Sequence, residues 1–272
     1  MGSRQELSSP SASSRLSPKS EAVLPGLTRT IARFLSAKAH SIALRAASGY
    51  RHSELRKDAQ TNDEVSRILA LLGIDEWSEL GQEVSSSLQL VFADAGTGAL
   101  EDLTVAEQTL VNALNQEAAD YAASRGAELV GMKQLADGTF VVNPNAEFSI
   151  ADTTREGLRD LIEKAFTEGL SPAQLAEEIR DSFLFSEARS AMIARTELAA
   201  AQVAGNVAAW KDSGVVAGKE WLTTEAPCPL CEPLNGEEVG LEESFSAGVD
   251  GPPLHPNCEC TVLAVLKTEV AA

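Results

Sequence analysis

Apolar residues recur at helical spacing along most of this chain. From Leu24 onward, Leu27, Ile31, Phe34, Leu35 and Ile42 form one stripe, with Arg29, Arg33 and Arg45 mostly off it. Ser48-Gly49 marks the end of that helix. Such a stripe needs a cover, either a neighbouring helix of the same chain or a groove on a partner. The same period predicts helices over 63–72 and 77–92, and the run Asp-Ala-Gly-Thr-Gly at 94–98 reads as a loop. A further helix is expected from Thr104, with Glu107 as its capping-box partner, Val105, Leu110, Val111 and Leu114 as its apolar face, and Gly126 as its C-cap after Arg125.

Beyond residue 126 the pattern changes. Asp137-Gly138 followed by Thr139, Phe140, Val141 and Val142 predicts a turn and a short strand, which Asn143-Pro144 interrupts. Thr153 and Glu156 then suggest a capping box, and Leu158, Leu161, Ile162, Ala165 and Phe166 an apolar face that Gly169 terminates. Ser171, Pro172 and Gln174 supply an N-cap, a proline in the first turn and a capping partner for a helix that buries Leu175, Ala176 and Ile179. Ser186 opens a long helix to about Trp210, with Gly214 beyond it. Short strands are expected near 220–223 and 261–266, with a tight turn at Asn235-Gly236 between them. The fold class is therefore mainly α. An N-terminal helical region is followed by a small α+β C-terminal domain with a helical core, short antiparallel strands and a Cys/His loop region. The organisation expected is a flexible tail over 1–22, a helical region over 23–125 and a C-terminal domain over 126–272.

Composition sharpens this. Nine Ser and Pro residues crowd positions 8–20, too polar to offset the entropy of ordering, hence the tail. The chain has 272 residues, 44% of them apolar but only 5% aromatic, which favours helices over a barrel. No apolar run is long enough to span a membrane, and the N-terminus lacks a basic segment followed by an apolar one, so no secretory signal is expected. Residue 6 is not Ser or Thr, so Gly2 does not open a myristoylation motif. Net charge is −18. Residues 1–60 nevertheless carry ten Lys or Arg against four acids. A basic arm on an acidic body argues against a nucleic-acid binder over its whole surface, yet leaves DNA as a candidate partner for the N-terminal region alone.

Two groups of residues carry candidate chemistry. The helix from 186 is apolar almost all round between Ala191 and Ala209, interrupted by Arg195, Thr196, Glu197, Gln202 and Asn206. Buried charges need partners. Arg195, Glu197 and Asn206 therefore read as a polar lock that pins a loop or strand to the helix, with an active-site Arg/Glu pair as the alternative. The lock is favoured because no nucleophile or general base sits beside them. The second group is sharper. All four cysteines fall in Cys228-Pro229-Leu230-Cys231 and His255-Pro256-Asn257-Cys258-Glu259-Cys260, around one of only three histidines. Cys-x2-Cys with His-x2-Cys matches the donors and tight turns of tetrahedral zinc, with Cys258 or Cys260 as the fourth ligand. A disulfide and free thiols are the alternatives. Four protein ligands leave no position for an activated water, so the metal expected is structural.

Ile193-Ala194-Arg195-Thr196-Glu197, Gly218-Lys219-Glu220-Trp221, Cys228-Pro229-Leu230-Cys231 and the run from Pro252 to Cys260 together resemble the phage Mu F-like head morphogenesis domain, over about 149–266. The resemblance implies a minor head protein of a tailed bacteriophage or prophage, without catalytic residues. It would be located inside the virion head, and in the host cytoplasm during assembly. The resemblance implies the portal protein as partner, with major capsid or scaffolding protein as further candidates, and no membrane. A metal-dependent enzyme or a prophage toxin leader domain is the alternative, since this domain also resembles the leader portion of some toxins. The family usually carries a basic residue between its last two cysteines, where this chain has Glu259.

Overall fold

Alanine- and leucine-rich runs build six α-helices among the residues described by the computed structural model, namely 16–49, 69, 77–135, 137, 139–146 and 149–267. They are α1 (Pro18–Gly49), α2 (Ser78–Asp102), α3 (Gln108–Leu129), α4 (Ile150–Glu168), α5 (Pro172–Asp181) and α6 (Glu187–Ser213). The strands are β1 (Met132–Gln134), β2 (Phe140–Val142), β3 (Val216–Leu222), β4 (Glu238–Gly240) and β5 (Thr261–Leu266). All pairings are antiparallel: β1 with β2, and a second sheet in the order β4-β3-β5. The mainly-α class with a small strand-bearing C-terminal part is as expected. No helix among the described residues is long and apolar enough to cross a membrane.

The described residues form two compact units, one within 1–26, 86–122 and 192–272, the other within 27–85 and 123–191. They interleave along the sequence, and position 125/126, the expected start of the C-terminal domain, lies inside α3.

In the first unit β3 is the central strand. Trp221 is fully buried from it and meets Phe245 edge-on, with ring centroids 5.0 Å apart at 84°. Trp210, Leu234, Cys231, Cys258, Cys260 and Val262 complete that part of the core. A Cβ on Gly205 of α6 would lie 2.2 Å from the Phe92 carbonyl oxygen, and one on Gly96 would meet Leu114 at 2.6 Å, so these helices touch nearly backbone to backbone. That contact explains a correction: α2 runs unbroken through 94–98, because Gly96 is there for close packing and not for a loop. Its end is a Schellman motif. The Thr104 N–H bonds to the Glu101 carbonyl and the Val105 N–H to that of Leu100, with Thr104 at φ 58°. Thr104 thus closes α2 rather than capping the next helix, which starts at Gln108.

In the second unit, Leu27, Ile31, Leu35 and Ile42 of α1 are buried, and Phe34 stacks obliquely on Trp77 at 5.3 Å. The stripe is core. The expected helix over 63–72 lies outside the described residues except for Leu69, which is helical and buried. Gly126 does not end α3: it lies within the helix, and a Cβ on Gly81 would meet its carbonyl oxygen at 2.5 Å. Helix α4 begins four residues earlier than expected. Ser149, not Thr153, is its N-cap, accepting the Asp152 N–H at 3.1 Å. Gly169 in the left-handed conformation and the Ser171/Gln174 capping box stand where the sequence placed them, as do buried Leu158, Ile162, Leu175 and Ile179.

Candidate metal centre

Two short loops of the first unit present the Cys/His motif, and backbone hydrogen bonds shape both. The segment after β3 closes on itself. The Thr223 N–H and hydroxyl both donate to Asn235 Oδ1, and Gly236, at φ 80°, returns its N–H to the Trp221 carbonyl. Inside that loop the Cys231 and Glu232 N–H groups bond to the Cys228 carbonyl at 3.0 and 2.9 Å, and the chain passes into the 3-10 turn Glu232–Leu234. The second loop turns at His255, where the Cys258 N–H bonds to the His255 carbonyl at 3.1 Å. Asn257 takes φ 59°, and its N–H donates to the Thr196 hydroxyl of α6 at 3.0 Å.

These turns bring the donors together. His255 Nε2 lies 3.1 Å from Cys228 Sγ and 3.3 Å from Cys231 Sγ, and Cys231 Sγ lies 3.8 Å from Cys258 Sγ. Cys228, Cys231 and His255 have all ligand atoms within 4.8 Å of one another, as do Cys231, Cys258 and Cys260, so Cys231 belongs to both groups. A zinc ion with its usual bond lengths sets sulfur–sulfur edges of about 3.8 Å and sulfur–nitrogen edges of about 3.6 Å. The Cys231–Cys258 separation matches such an edge and the two His255–sulfur separations are a few tenths of an ångström shorter than one, while Cys258 is grouped with Cys231 and Cys260 and not with Cys228 and His255. The histidine tautomer also fits. Nδ1 lies 2.9 Å from the Pro256 carbonyl, which can only accept, so Nδ1 carries the proton and the Nε2 lone pair faces the sulfurs. No disulfide joins the four cysteines.

Crowded thiols cannot all ionise without a cation. A hydrogen bond from Cys260 holds the Cys258 thiol down at about 5, while burial pushes Cys231 up to about 12. Cys260 is pushed up, first by its bond to Cys258. The buried Trp221 indole N–H, which has no partner of normal hydrogen-bond geometry, acts on it in the opposite sense. The Cys231 N–H favours the Cys228 thiolate. For His255, burial opposes protonation, but the Pro256 carbonyl and nearby thiolates outweigh it and raise its pKa. A divalent cation would replace this alternation of thiol and thiolate with uniform deprotonation.

The residues expected to form a polar lock divide. Arg195 is half-buried and lines a small cavity beside Cys258, Glu259 and Cys260. Glu197 is buried on the same helix, and Asn206 is half-buried further along it, away from that cavity. Two residues of α6 outside that lock hydrogen-bond to other segments. Thr196 holds the His255–Cys258 turn, and Gln202 accepts bonds from Ser17 and Ser20. Both were visible as polar breaks in an apolar helix, but nothing local distinguished them from Arg195 or Glu197. Ser17 and Ser20 also correct the expected tail. Helix α1 starts at Pro18, Ser20 is fully buried and Leu16 nearly so, because α6 offers a hydrogen-bond acceptor for the segment.

Two further buried cations were not anticipated. Arg189 of α6 donates to the Thr154 hydroxyl at 2.8 Å, the Thr153 hydroxyl at 2.8 Å and the Leu184 carbonyl at 2.6 Å, and burial lowers its pKa to about 10. Lys219 of β3 reaches the Leu241 carbonyl at 3.3 Å and lies over the Phe245 ring, its pKa lowered by burial.

Residues 156–263 match the family model of Phage Mu protein F like protein, less than half of the chain. The match begins within α4, ends within β5 and takes in the whole Cys/His centre, bearing out the resemblance drawn from the motifs over that span. No curated protein and no solved structure matches the chain.

Proposed function

We propose that this protein is a minor head component of a tailed bacteriophage or prophage that acts in head assembly by binding, and that Cys228, Cys231, His255 and Cys258 hold a structural zinc ion. The match over 156–263 carries the assembly role. The convergence of the Cys228 and Cys231 thiols on the His255 lone pair, with the Cys258 thiol 3.8 Å from that of Cys231, carries the metal. Cys258 is the better fourth ligand. It shares a turn with His255, and its sulfur already lies at a tetrahedral edge from Cys231. A closed set of four protein donors supports clamping of two loops rather than activation of water.

The portal vertex is the partner we assign, and the head interior the location. The surface chemistry of the metal region supports a protein partner. Between Glu220 and Leu266 the chain has nine acids and no Lys or Arg, with Glu225, Glu232, Glu238, Glu242 and Glu243 exposed. Such a face repels phosphate and favours a basic protein surface. Co-sedimentation of the full chain with portal rings tests the assembly role. Binding with a shallow salt dependence is expected, whereas binding only to DNA with a steep salt slope would refute it. Metal analysis of the reduced protein should find one zinc per chain. On cobalt substitution, Cys260→Ser should keep the thiolate charge-transfer intensity that Cys258→Ser reduces.

A further inference from the structure

We propose that Leu16 and the first turn of α1 form a strap that closes the thiol side of the centre, held down by Gln202. A cavity of about 10 Å³, the size of one water, lies there. Arg195, Gln202 and Val203 of α6, Cys258 and Cys260 before β5, and Leu16 are among its walls. Leu16 is 7% exposed. Directly after it, the Ser17 N–H donates to Gln202 Oε1 at 2.7 Å and the Ser20 hydroxyl donates to the same oxygen at 3.1 Å. The Ser17 hydroxyl accepts the Ser20 N–H at 3.1 Å, which caps α1. One amide oxygen on α6 therefore fixes the helix start that lays Leu16 over the cysteines.

The hold includes the Leu16 side chain and two hydrogen bonds to Gln202. The cysteines beneath it are tied into the sheet and the loop turns. Leu16 and Ser17 stand at the N-terminal end of α1, and helix ends open locally more readily than the core around them unfolds. Cys228 and His255 do not line the cavity, so the strap shields one side of the centre and not the other. Its opening would set how fast a chelator or thiol reagent reaches Cys258 and Cys260. The metal arm of this proposal rests on the zinc reading above; the thiol arm does not.

The test compares the reduced full chain with Leu16→Ser and Gln202→Ala. Iodoacetamide labelling is followed at each cysteine by peptide mass spectrometry, and zinc release by a colorimetric chelator. Labelling of Cys258 and Cys260 should rise about 10- to 100-fold in both variants, with Cys228 unchanged and zinc release faster by a similar factor. Unchanged rates at Cys258 and Cys260 overturn the strap, and so does equal acceleration at Cys228, which would mean general loosening. Gln202→Ala keeps the leucine contact, so it decides the matter if Leu16→Ser fails to fold. A chain that carries no zinc but shows the labelling pattern would leave the strap standing and the metal reading refuted.

Discussion

The helical region around Arg189 and the loop region around Cys231 each bury polar side chains, and they balance charge in opposite ways. At Arg189 the chain supplies the cation and surrounds it with neutral acceptors: two threonine hydroxyls and the Leu184 carbonyl. Its helices carry their own caps and apolar faces, so the region is complete without any added group. At Cys231 the chain supplies donors that repel one another once ionised, on loops with little regular structure. The first arrangement is closed by protein alone. On the metal reading proposed above, the second is balanced by a cation the protein does not encode.

The largest effect expected is at Cys231, the donor common to both ligand groups. Structural zinc supplies roughly 10–16 kcal/mol of apparent binding free energy near neutral pH. Cys231→Ser, or a strong chelator, should therefore abolish amide-exchange protection across 216–266 while 150–190 stays protected. Simultaneous loss in both regions would break the comparison.

A smaller effect is expected at the other centre. Arg189→Met removes the cation and leaves the buried Thr154 hydroxyl and the Leu184 carbonyl without this donor, at a cost of about 1–3 kcal/mol. Denaturant unfolding should show the same loss with and without chelator, unlike Cys231→Ser. A chelator-dependent loss would mean that the two regions share one stability.

The smallest effect sharpens the link between helix and loop. Thr196→Val deletes the acceptor of the Asn257 N–H, one residue before Cys258. A stability loss of about 1 kcal/mol is expected, together with several-fold weaker zinc binding by competition titration. Unchanged affinity would show that the turn at His255 holds its shape unaided.

Much of this was legible along the chain where the signal is local. Ser171-Pro172 with Gln174, Gly169 and Gly214 punctuate helices through hydrogen bonds and φ angles that neighbouring residues determine. The Cys/His cluster was legible too, because Cys-x2-Cys and His-x2-Cys each make their own turn. The misreadings share a different cause. Gly96 and Gly126 look like breakers, and Thr104 like a cap, until the helices they pack against or terminate are known.

The sequence by itself determined the helical class, most C-terminal punctuation and the inventory of five candidate ligands, since each depends on residues within a few positions of one another. Only the tertiary structure decided that Ser17 and Ser20 are ordered by Gln202, that Thr196 anchors the ligand turn, that Arg189 is buried with its needs met, and that Cys231 and Cys258 stand 3.8 Å apart. The reason is physical. A cap or a turn is satisfied by its own backbone, whereas a buried glutamine, threonine or arginine is satisfied by partners that folding alone brings within hydrogen-bonding reach.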